Sequence, residues 1–241
     1  MTEADAVPPR LVVRLPAGRL TVRGGDVPSV QVLALRPKLG TDARAVAAAE
    51  AASVDVSTAA VQVRVPDPPG RGRTPQVLVE VAVPAGTTVV ADCPEAEVVC
   101  TGHVGALRVS TSSGSVHAEE VTGPLEVRTG RGPVTVLDCR GPVDITSSGG
   151  VVVLRHVADR AVVRNRAGDV HVWWLAASAE VATTTGNVRL GWSRADPVHL
   201  VLASNVGRVQ AEVPSRTGAA HEVRVTSVSG DITVEASSPG R

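Results

Sequence analysis

Three consecutive segments decide the fold: residues 105–122 read GALRVSTSSGSVHAEEVT, residues 123–140 read GPLEVRTGRGPVTVLDCR and residues 141–158 read GPVDITSSGGVVVLRHVA. The same 18-residue unit can be aligned without gaps from residue 87 to residue 194. Its tenth position is glycine in every unit after the first, and two looser copies follow, centred on Gly207 and Gly230. Its twelfth position is always valine: Val98, Val116, Val134, Val152, Val170 and Val188. A repeat of this length and regularity is typical of a solenoid.

The apolar residues of each unit stand at positions 3 and 5 and again at positions 12 and 14. This period of two indicates two short β-strands per unit, and the glycine at position 10 indicates a bend between them. A unit this small cannot bury its own apolar face, so neighbouring units must stack. We therefore predict an all-β protein, a parallel single-stranded β-solenoid with one coil per 18 residues and coils about 4.8 Å apart.

Two other solenoids with coils of 18 residues do not fit. Hexapeptide coils need an aliphatic residue every six positions, which the spacing of 3, 5, 12 and 14 does not provide. Calcium-binding nonapeptide coils need a carboxylate after the turn glycine. In five consecutive units this position carries one aspartate only: Ser115, Pro133, Val151, Asp169 and Asn187. We therefore expect no ladder of calcium sites.

The N-terminal third is less regular. Residues 11–24 (LVVRLPAGRLTVRG) have the same apolar–glycine–apolar plan, which predicts that the solenoid begins there. An alanine-rich segment, TDARAVAAAEAA (41–52), predicts one short helix with Thr41 or Asp42 as its N-cap. The remaining segments predict three longer strands and an exposed loop: SVQVLALR (29–36), SVDVSTAAVQVRV (53–65), QVLVEVAV (76–83) and the loop PDPPGRGRTP (66–75).

Because a solenoid needs covered ends, we interpret the N-terminal segment as a cap and not as a separate domain. The prediction is a single domain over residues 1–241. It consists of an irregular cap with the first coils (1–86), regular coils (87–196) and looser C-terminal coils (197–241).

Several segments resemble a known family. They are PAGRLTVRGGD (16–26), VAVPAGTTVV (81–90), and the recurrent step SGDITV (229–234), which returns as AGDVHV (167–172) and TGNVRL (185–190). In these motifs the chain resembles the bacterial putative-adhesin family of β-strand-repeat proteins, of the type often found in actinobacteria. The resemblance covers nearly the whole chain. It implies a β-solenoid, but no family active site, because the function of that family is unknown.

Composition narrows the class of partner and the compartment. With 24 basic and 24 acidic residues the net charge is zero, whereas a nucleic-acid-binding protein normally has a basic excess. Residues 1–10 lack the features of a secretory signal, and no apolar run is long enough to span a membrane. The three cysteines, Cys93, Cys100 and Cys139, form no ligand motif, which favours buried free thiols. We therefore expect a cytoplasmic protein with no nucleic-acid partner and no membrane span.

Signals for catalysis or cofactor binding are scarce. His117 and His171 share position 13 but lie three coils apart, about 14 Å, so we expect no metal site and no cofactor. The best catalytic candidates are Glu126 and Asp144, which share the outward-facing position 4 on adjacent coils. Their predicted separation is near the ~5 Å of retaining glycosidases. Neighbouring arginines, Arg108 and Arg128, favour a surface ion cluster instead.

The three tryptophans are the only aromatic residues of the Phe, Tyr and Trp classes. Trp174 and Trp192 share position 16, in phase with the core valines, which predicts that they stack at the edge of the coils. Trp173 points the other way and could contact a sugar or a protein partner.

Three functions stay open on this basis. The first is a non-catalytic scaffold or binding module for an unknown protein or glycan, with Trp173, Glu126 and Asp144 as candidate surface contacts. The second is a carbohydrate-active enzyme that uses Glu126 and Asp144. The third is a structural protein that self-associates through the ends of the solenoid.

Overall fold

A computed structural model describes residues 9–38, 42–57, 60–67, 73–193 and 197–237. These residues form strands throughout and one short helix, α1 (Ala43–Glu50). The strands are, in chain order, β1 (Arg10–Arg14), β2 (Ala17–Gly25), β3 (Gln31–Pro37), β4 (Ser53–Val56), β5 (Ala60–Arg64), β6 (Val77–Pro84), β7 (Thr88–Asp92), β8 (Glu95–Val104), β9 (Leu107–Thr111), β10 (Val116–Val121), β11 (Leu125–Arg131), β12 (Val134–Cys139), β13 (Val143–Gly149), β14 (Val152–Val157), β15 (Ala161–Ala167), β16 (Val170–Leu175), β17 (Ala179–Thr185), β18 (Val188–Trp192), β19 (His199–Val206), β20 (Val209–Ala211), β21 (Glu222–Ser229) and β22 (Ile232–Ala236).

The strands form two sheets, and from β5 onward the chain alternates between them. Sheet A has the order β19-β21-β17-β15-β13-β11-β9-β7-β1-β5-β4, and sheet B has the order β20-β22-β18-β16-β14-β12-β10-β8-β2-β6-β3. Neighbouring strands are parallel, except that the edge strands β3 and β4 run antiparallel to β6 and β5. The prediction of a mainly β protein with parallel strands and one helix is confirmed.

Valine columns hold the two sheets together. In sheet B the residues Val134, Val152 and Val170 are consecutive partners, and each side chain is fully buried. In sheet A, Val127 pairs with Ile145 in the same way. Valine suits these columns because its branched Cβ is stiff and packs well on a pleated surface. The predicted neighbours Val134, Val152 and Val170 are therefore confirmed.

The bend between the two sheets depends on close backbone approach. Gly168 has a φ of 120°, and a Cβ atom on it would stand 2.3 Å from the carbonyl oxygen of Gly150 in the neighbouring coil. Any other L-residue would meet both a strained backbone conformation and a steric clash. Beside this bend runs a buried column of small polar residues: Thr111, Thr129, Ser147, Asn165, Thr183 and Ser227. The Asn165 amide links two coils, since Nδ2 donates to the carbonyl oxygens of Gly150 and Gly168 at 3.0 and 2.9 Å.

The order of the coils differs from their order in the chain at both ends of the solenoid. The first coil, β1 and β2, lies between the coil β7/β8 and the coil β5/β6. The last coil, β21 and β22, lies between the coil β17/β18 and the coil β19/β20. Each terminal coil therefore has hydrogen-bonded neighbours on both sides.

The N-terminal third differs from the prediction in one of its strands. Residues 53–65, predicted as one strand, form the two antiparallel strands β4 and β5. The reversal follows from a turn in which the backbone N–H of Ser57 donates to the carbonyl oxygen of Ala60 at 2.9 Å. Helix α1 is confirmed, with Asp42 as its N-cap. Thr41 and residues 68–72 of the predicted loop lie outside the described residues.

Candidate functional site

The candidate site lies where each regular coil leaves sheet B. In β12 the side chains of Val134, Val136 and Cys139 are buried, whereas Leu137 and Asp138 are both only partly buried. Two partly exposed residues in succession break the alternation of the strand, so the residue before the last core position reaches the surface at a corner. The neighbouring strands repeat this break and remain in register, so that Asp138 pairs with His156 and His156 with Trp174.

This break creates a column of polar and aromatic side chains along the solenoid axis, which we call the corner ladder. Its members are consecutive partners in five neighbouring strands: His103, Glu120, Asp138, His156 and Trp174. At the usual spacing between strands the ladder is about 19 Å long.

Ion pairs and hydrogen bonds connect the rungs of the corner ladder. His103 Nδ1 lies 2.8 Å from Glu120 Oε2, and His156 Nδ1 donates to Asp138 Oδ1 at 2.5 Å. Arg140 donates to Glu120 Oε1 at 2.9 Å and approaches Asp138 Oδ2 at 3.6 Å. Each carboxylate therefore has two partners among the described residues.

Tryptophan ends the ladder. The Trp174 ring stacks on the imidazole of His156, with ring centroids 3.9 Å apart and an interplanar angle of 17°. The neighbouring Trp173 points out from sheet B and is 49% exposed. Its ring lies 6.3 Å from that of His171 at an angle of 19°. The corner ladder and Trp173 together form one continuous surface, the ladder face.

The predicted stacking of Trp174 on Trp192 is wrong. The register between β16 and β18 shifts after Val172, so that Trp192 pairs with Leu175 and not with Trp174. Trp192 is consequently buried in the core. The centroids of its ring and of the His221 ring are 5.8 Å apart. Position 16 is a core position only if the alternation of positions 12 and 14 extends through it, which the strands do not allow. The column Glu120, Asp138, His156 was the available signal, because three polar residues at one position rarely face a core.

Glu126 and Asp144 occupy neighbouring strands of sheet A in direct register. The Glu126 carboxylate pairs with Arg108, and its other oxygen lies 2.9 Å from Arg128. Asp144 lies 3.9 Å from Arg164, and its side chain is 58% exposed. The two carboxylates thus belong to a surface ion network on a flat sheet. They lie on the sheet opposite the ladder face, so the structure does not bring them together with Trp173.

The described residues contain no cluster of three or more His, Cys, Asp or Glu side chains that could hold a metal ion. The cysteines Cys93, Cys100 and Cys139 are free and buried, as predicted. Burial raises the pKa of the Cys93 and Cys100 thiols to about 12 each and that of the Cys139 thiol to about 11. A thiolate is the nucleophilic form of cysteine, so these residues are poor nucleophiles in the folded protein.

Two surface hollows lie away from the residues of the ladder face. One of about 390 Å³ is lined by Arg14, Pro16, Arg64 and Pro94, at the turns from sheet A to sheet B. Another of about 270 Å³ lies among the N-terminal strands, beside Val56 and Pro84. The ladder face lies at the turns from sheet B back to sheet A, on the edge opposite the first hollow and farther along the solenoid than the second. It is an open surface suited to a ligand that lies along it.

Comparison with solved structures gives two matches of low sequence identity. One is described as a "putative cell adhesion protein" from Clostridium sporogenes ATCC 15579, with 11% identity, coverage of 96% of this chain and 93% of that chain, and a TM-score of 0.34. The other is described as a "putative adhesin" from Bacteroides fragilis NCTC 9343, with 10% identity, coverage of 93% and 91%, and a TM-score of 0.37. No curated protein matches the chain.

Comparison with protein families is decisive for classification. The family described as Toastrack DUF4097 matches residues 73–239, which include all of the regular coils and both C-terminal coils. Within the described residues no helix is long and apolar enough to cross a membrane. Since the match covers more than half of the sequence, the chain belongs to the Toastrack DUF4097 family.

Proposed function

We propose that this protein is a non-catalytic β-solenoid binding module and that the ladder face is its binding surface. The observation that carries the proposal is the half-exposed indole of Trp173 beside the ordered corner ladder. An exposed tryptophan offers a large apolar surface at low conformational cost, with an N–H donor at one edge. Polar groups held in place by their neighbours lose little entropy when a ligand binds.

The chemistry of the ladder face favours a glycan over a protein partner. Protein interfaces usually centre on several apolar anchors that become fully desolvated. Here the Trp173 ring lies beside the imidazole of His171, and its chain neighbour Trp174 belongs to the corner ladder with its charged side chains. A sugar ring presents an apolar face that can stack on the indole, together with hydroxyl groups that can bond to carboxylate and imidazole. We therefore propose a glycan chain that runs along the solenoid axis, and a protein partner is the alternative.

The absence of catalysis is part of this proposal. Glycosidic cleavage needs one carboxylic acid that donates a proton and one free carboxylate on opposite sides of the bond. Glu126 is held between two arginines, and Asp144 faces open solvent, so neither has the enclosed surroundings of a catalytic acid. For this reason we favour a surface ion network over a carbohydrate-active site.

The test is binding of the full chain to immobilised glycans of neutral, acidic and amino-sugar classes, with tryptophan fluorescence as a second readout. Trp173→Ala should weaken binding to any captured glycan by at least about tenfold, the equivalent of about 1.4 kcal/mol, whereas Trp173→Phe should retain part of it. The matched control is the double variant Glu126→Gln with Asp144→Asn on the opposite sheet, which should bind like the wild type.

Two results would contradict the proposal. One is unchanged glycan binding by Trp173→Ala. The other is cleavage of a captured glycan by the wild type that is lost in the double variant, which would establish the carbohydrate-active alternative. Capture of proteins alone, through a surface that includes Trp173, would favour the protein partner.

The proposal also includes the repeat length, the domain organisation and the cellular compartment. The repeating unit is an 18-residue coil, supported by pairing of Val116, Val134 and Val152 at this spacing. Residues 1–241 form one solenoid domain, supported by continuous sheets from β4 to β19 and from β3 to β20. The protein acts in the cytoplasm, an assignment that its three unpaired cysteines favour.

A further inference from the structure

The C-terminal end of the solenoid has an uncovered apolar surface. Val209 of β20 is the register partner of Ile232, which is fully buried, yet Val209 is 43% exposed. Ala211, the partner of the buried Val234, is also exposed. In β19, Leu202 is only partly buried although its partner Val225 is fully buried. These side chains occupy core columns, and no further coil of the described chain covers them.

The backbone of β20 is equally unpartnered on its outer side. The carbonyl oxygen of Arg208 accepts from the N–H of Ile232, and the N–H of Glu212 donates to the carbonyl oxygen of Val234. Residues 208, 210 and 212 therefore direct their backbone groups toward β22. By the alternation of a strand, Val209 and Ala211 direct theirs outward, where no described strand pairs with β20. A loop partly protects the start of β19, since the N–H of Leu200 donates to Ser215 Oγ, but β20 has no such cover among the described residues.

The sequence of β20 and its flanks is complementary to itself. Residues 208–212 read Arg-Val-Gln-Ala-Glu, with a basic residue two positions before Gln210 and an acidic one two positions after it. In an antiparallel pair of two such segments centred on Gln210, Arg208 of one chain stands opposite Glu212 of the other, twice. Val209 stands opposite Ala211, and both have outward backbone groups, so each of these two pairs can exchange two N–H···O bonds. Both charged residues are exposed, and no ion pair within the described chain engages Arg208.

We propose that this end binds a second copy of the same chain, through antiparallel pairing of β20 with β20 about a two-fold axis at Gln210. Sheet B then continues from one copy into the other, and the Val209 column of each copy meets the Ala211 column of the other. A two-fold contact of this kind is closed and stops at two chains. At the N-terminal end α1 packs on β3 and β6 and buries Ala45 and Ala48, but Val54 and Val56 of the edge strand β4 are 44% and 76% exposed, so this edge is the competing surface that the experiment must exclude.

The test is sedimentation equilibrium of the full chain over a concentration series, with charge reversals at the two-fold contact. The wild type should reach a reversible plateau at twice the monomer mass. Arg208→Glu alone and Glu212→Arg alone each place like charges opposite one another twice, and each should weaken the dimer by about tenfold. The double variant Arg208→Glu with Glu212→Arg restores two opposite-charge pairs and should regain most of the affinity.

A backbone variant and a control at the other end complete the experiment. Ala211→Pro removes an outward N–H without removing a bond to β22, and should weaken the dimer by at least about tenfold. Val56→Lys, on the exposed edge strand β4 at the N-terminal end, should leave the dimer unchanged. A wild type that stays monomeric, a mass that grows beyond two chains, or a double variant as weak as the single ones would overturn the proposal. Because the charge reversals are at exposed positions, they decide the question even if Ala211→Pro disturbs folding.

Discussion

Helix α1 packs on β3 and β6 at the N-terminal end of sheet B and buries Ala45 and Ala48, whereas at the C-terminal end of the same sheet Val209 of β20 is 43% exposed. Both ends are built from the same kind of coil with apolar residues in the inward columns. The difference lies in the element that packs on the outermost strand of sheet B: a helix on β3 at one end and, in the described chain, no element on β20 at the other. On sheet A the N-terminal edge strand β4 is exposed as well. An apolar side chain in a solenoid is therefore buried by the neighbouring coil and not by its own coil. The stabilisation that its burial contributes depends on its distance from an uncovered end.

The largest effect that this comparison predicts is a difference between two valines at the same column position. Val152→Asp places an unpaired carboxylate in the fully buried column and should lower the free energy of unfolding by about 4 kcal/mol. Val209→Asp, in the same column at the open end, should change it by less than about 0.5 kcal/mol in dilute solution. Urea unfolding followed by tryptophan fluorescence measures both values. Similar losses for the two variants would mean that the C-terminal end is covered.

The coil next to β1 and β2 contains two buried thiols, Cys93 and Cys100. Burial raises the pKa of both thiols from 9.0 to about 12. Between these pH values the folded chain keeps protons that the unfolded chain loses, so the free energy of unfolding must fall as pH rises. The expected loss is about 1.4 kcal/mol per pH unit for each thiol, and none below pH 9.

The control for this prediction is the variant with Cys93→Ala and Cys100→Ala, because all other titrating groups are shared. Its stability should decline less steeply above pH 9 in denaturant unfolding at a series of pH values. Equal slopes for the variant and the wild type would show that solvent reaches both thiols in the folded protein.

The smallest predicted effect concerns the helix that packs on the N-terminal end of sheet B. The Asp42 carboxylate accepts hydrogen bonds from the N–H groups of Arg44 and Ala45 at 3.0 and 3.3 Å. Asp42→Ala removes this N-cap and should cost about 1 kcal/mol, whereas Asp42→Asn should cost little. Hydrogen exchange should show the loss as faster exchange in α1 and β3, with unchanged protection in β13. Equal exchange in all three elements would mean that α1 does not stabilise this end locally.

Much of the fold could be predicted from the sequence because the core columns obey a strict local rule. Period-two alternation and glycine at the bend place Val134 and Val152 in the core without knowledge of any distant contact. The order of the coils could not be predicted this way. All coils present nearly the same apolar columns, so periodicity does not distinguish β19 from β21 as the neighbour of β17. The order of the coils depends on the connecting segments and on how well the terminal coils are covered. A repeat pattern encodes neither.

The candidate site was predictable in part for a similar reason. The exposure of Trp173 follows from alternation, and the ion network around Glu126 follows from the arginines one coil before it and two residues after it. The corner ladder was missed because alternation fails between positions 14 and 17, where Asp138 and His156 leave the core face. The cause is the bend that carries the chain from sheet B back to sheet A, and it is visible only when strands are stacked.

The interleaved coil order has a consequence for synthesis of the protein. During translation β17 and β18 emerge first, then β19 and β20, but in the finished fold β21 and β22 separate these two pairs. On a ribosome, therefore, residues 199–211 have no native strand partner until residues 222–236 have been made, and the edge of β17 and β18 stays open over the same interval. Such open edges expose nascent chains to wrong pairing. A chain that terminates before residue 222 lacks the coil that joins β19 and β20 to the rest of the protein.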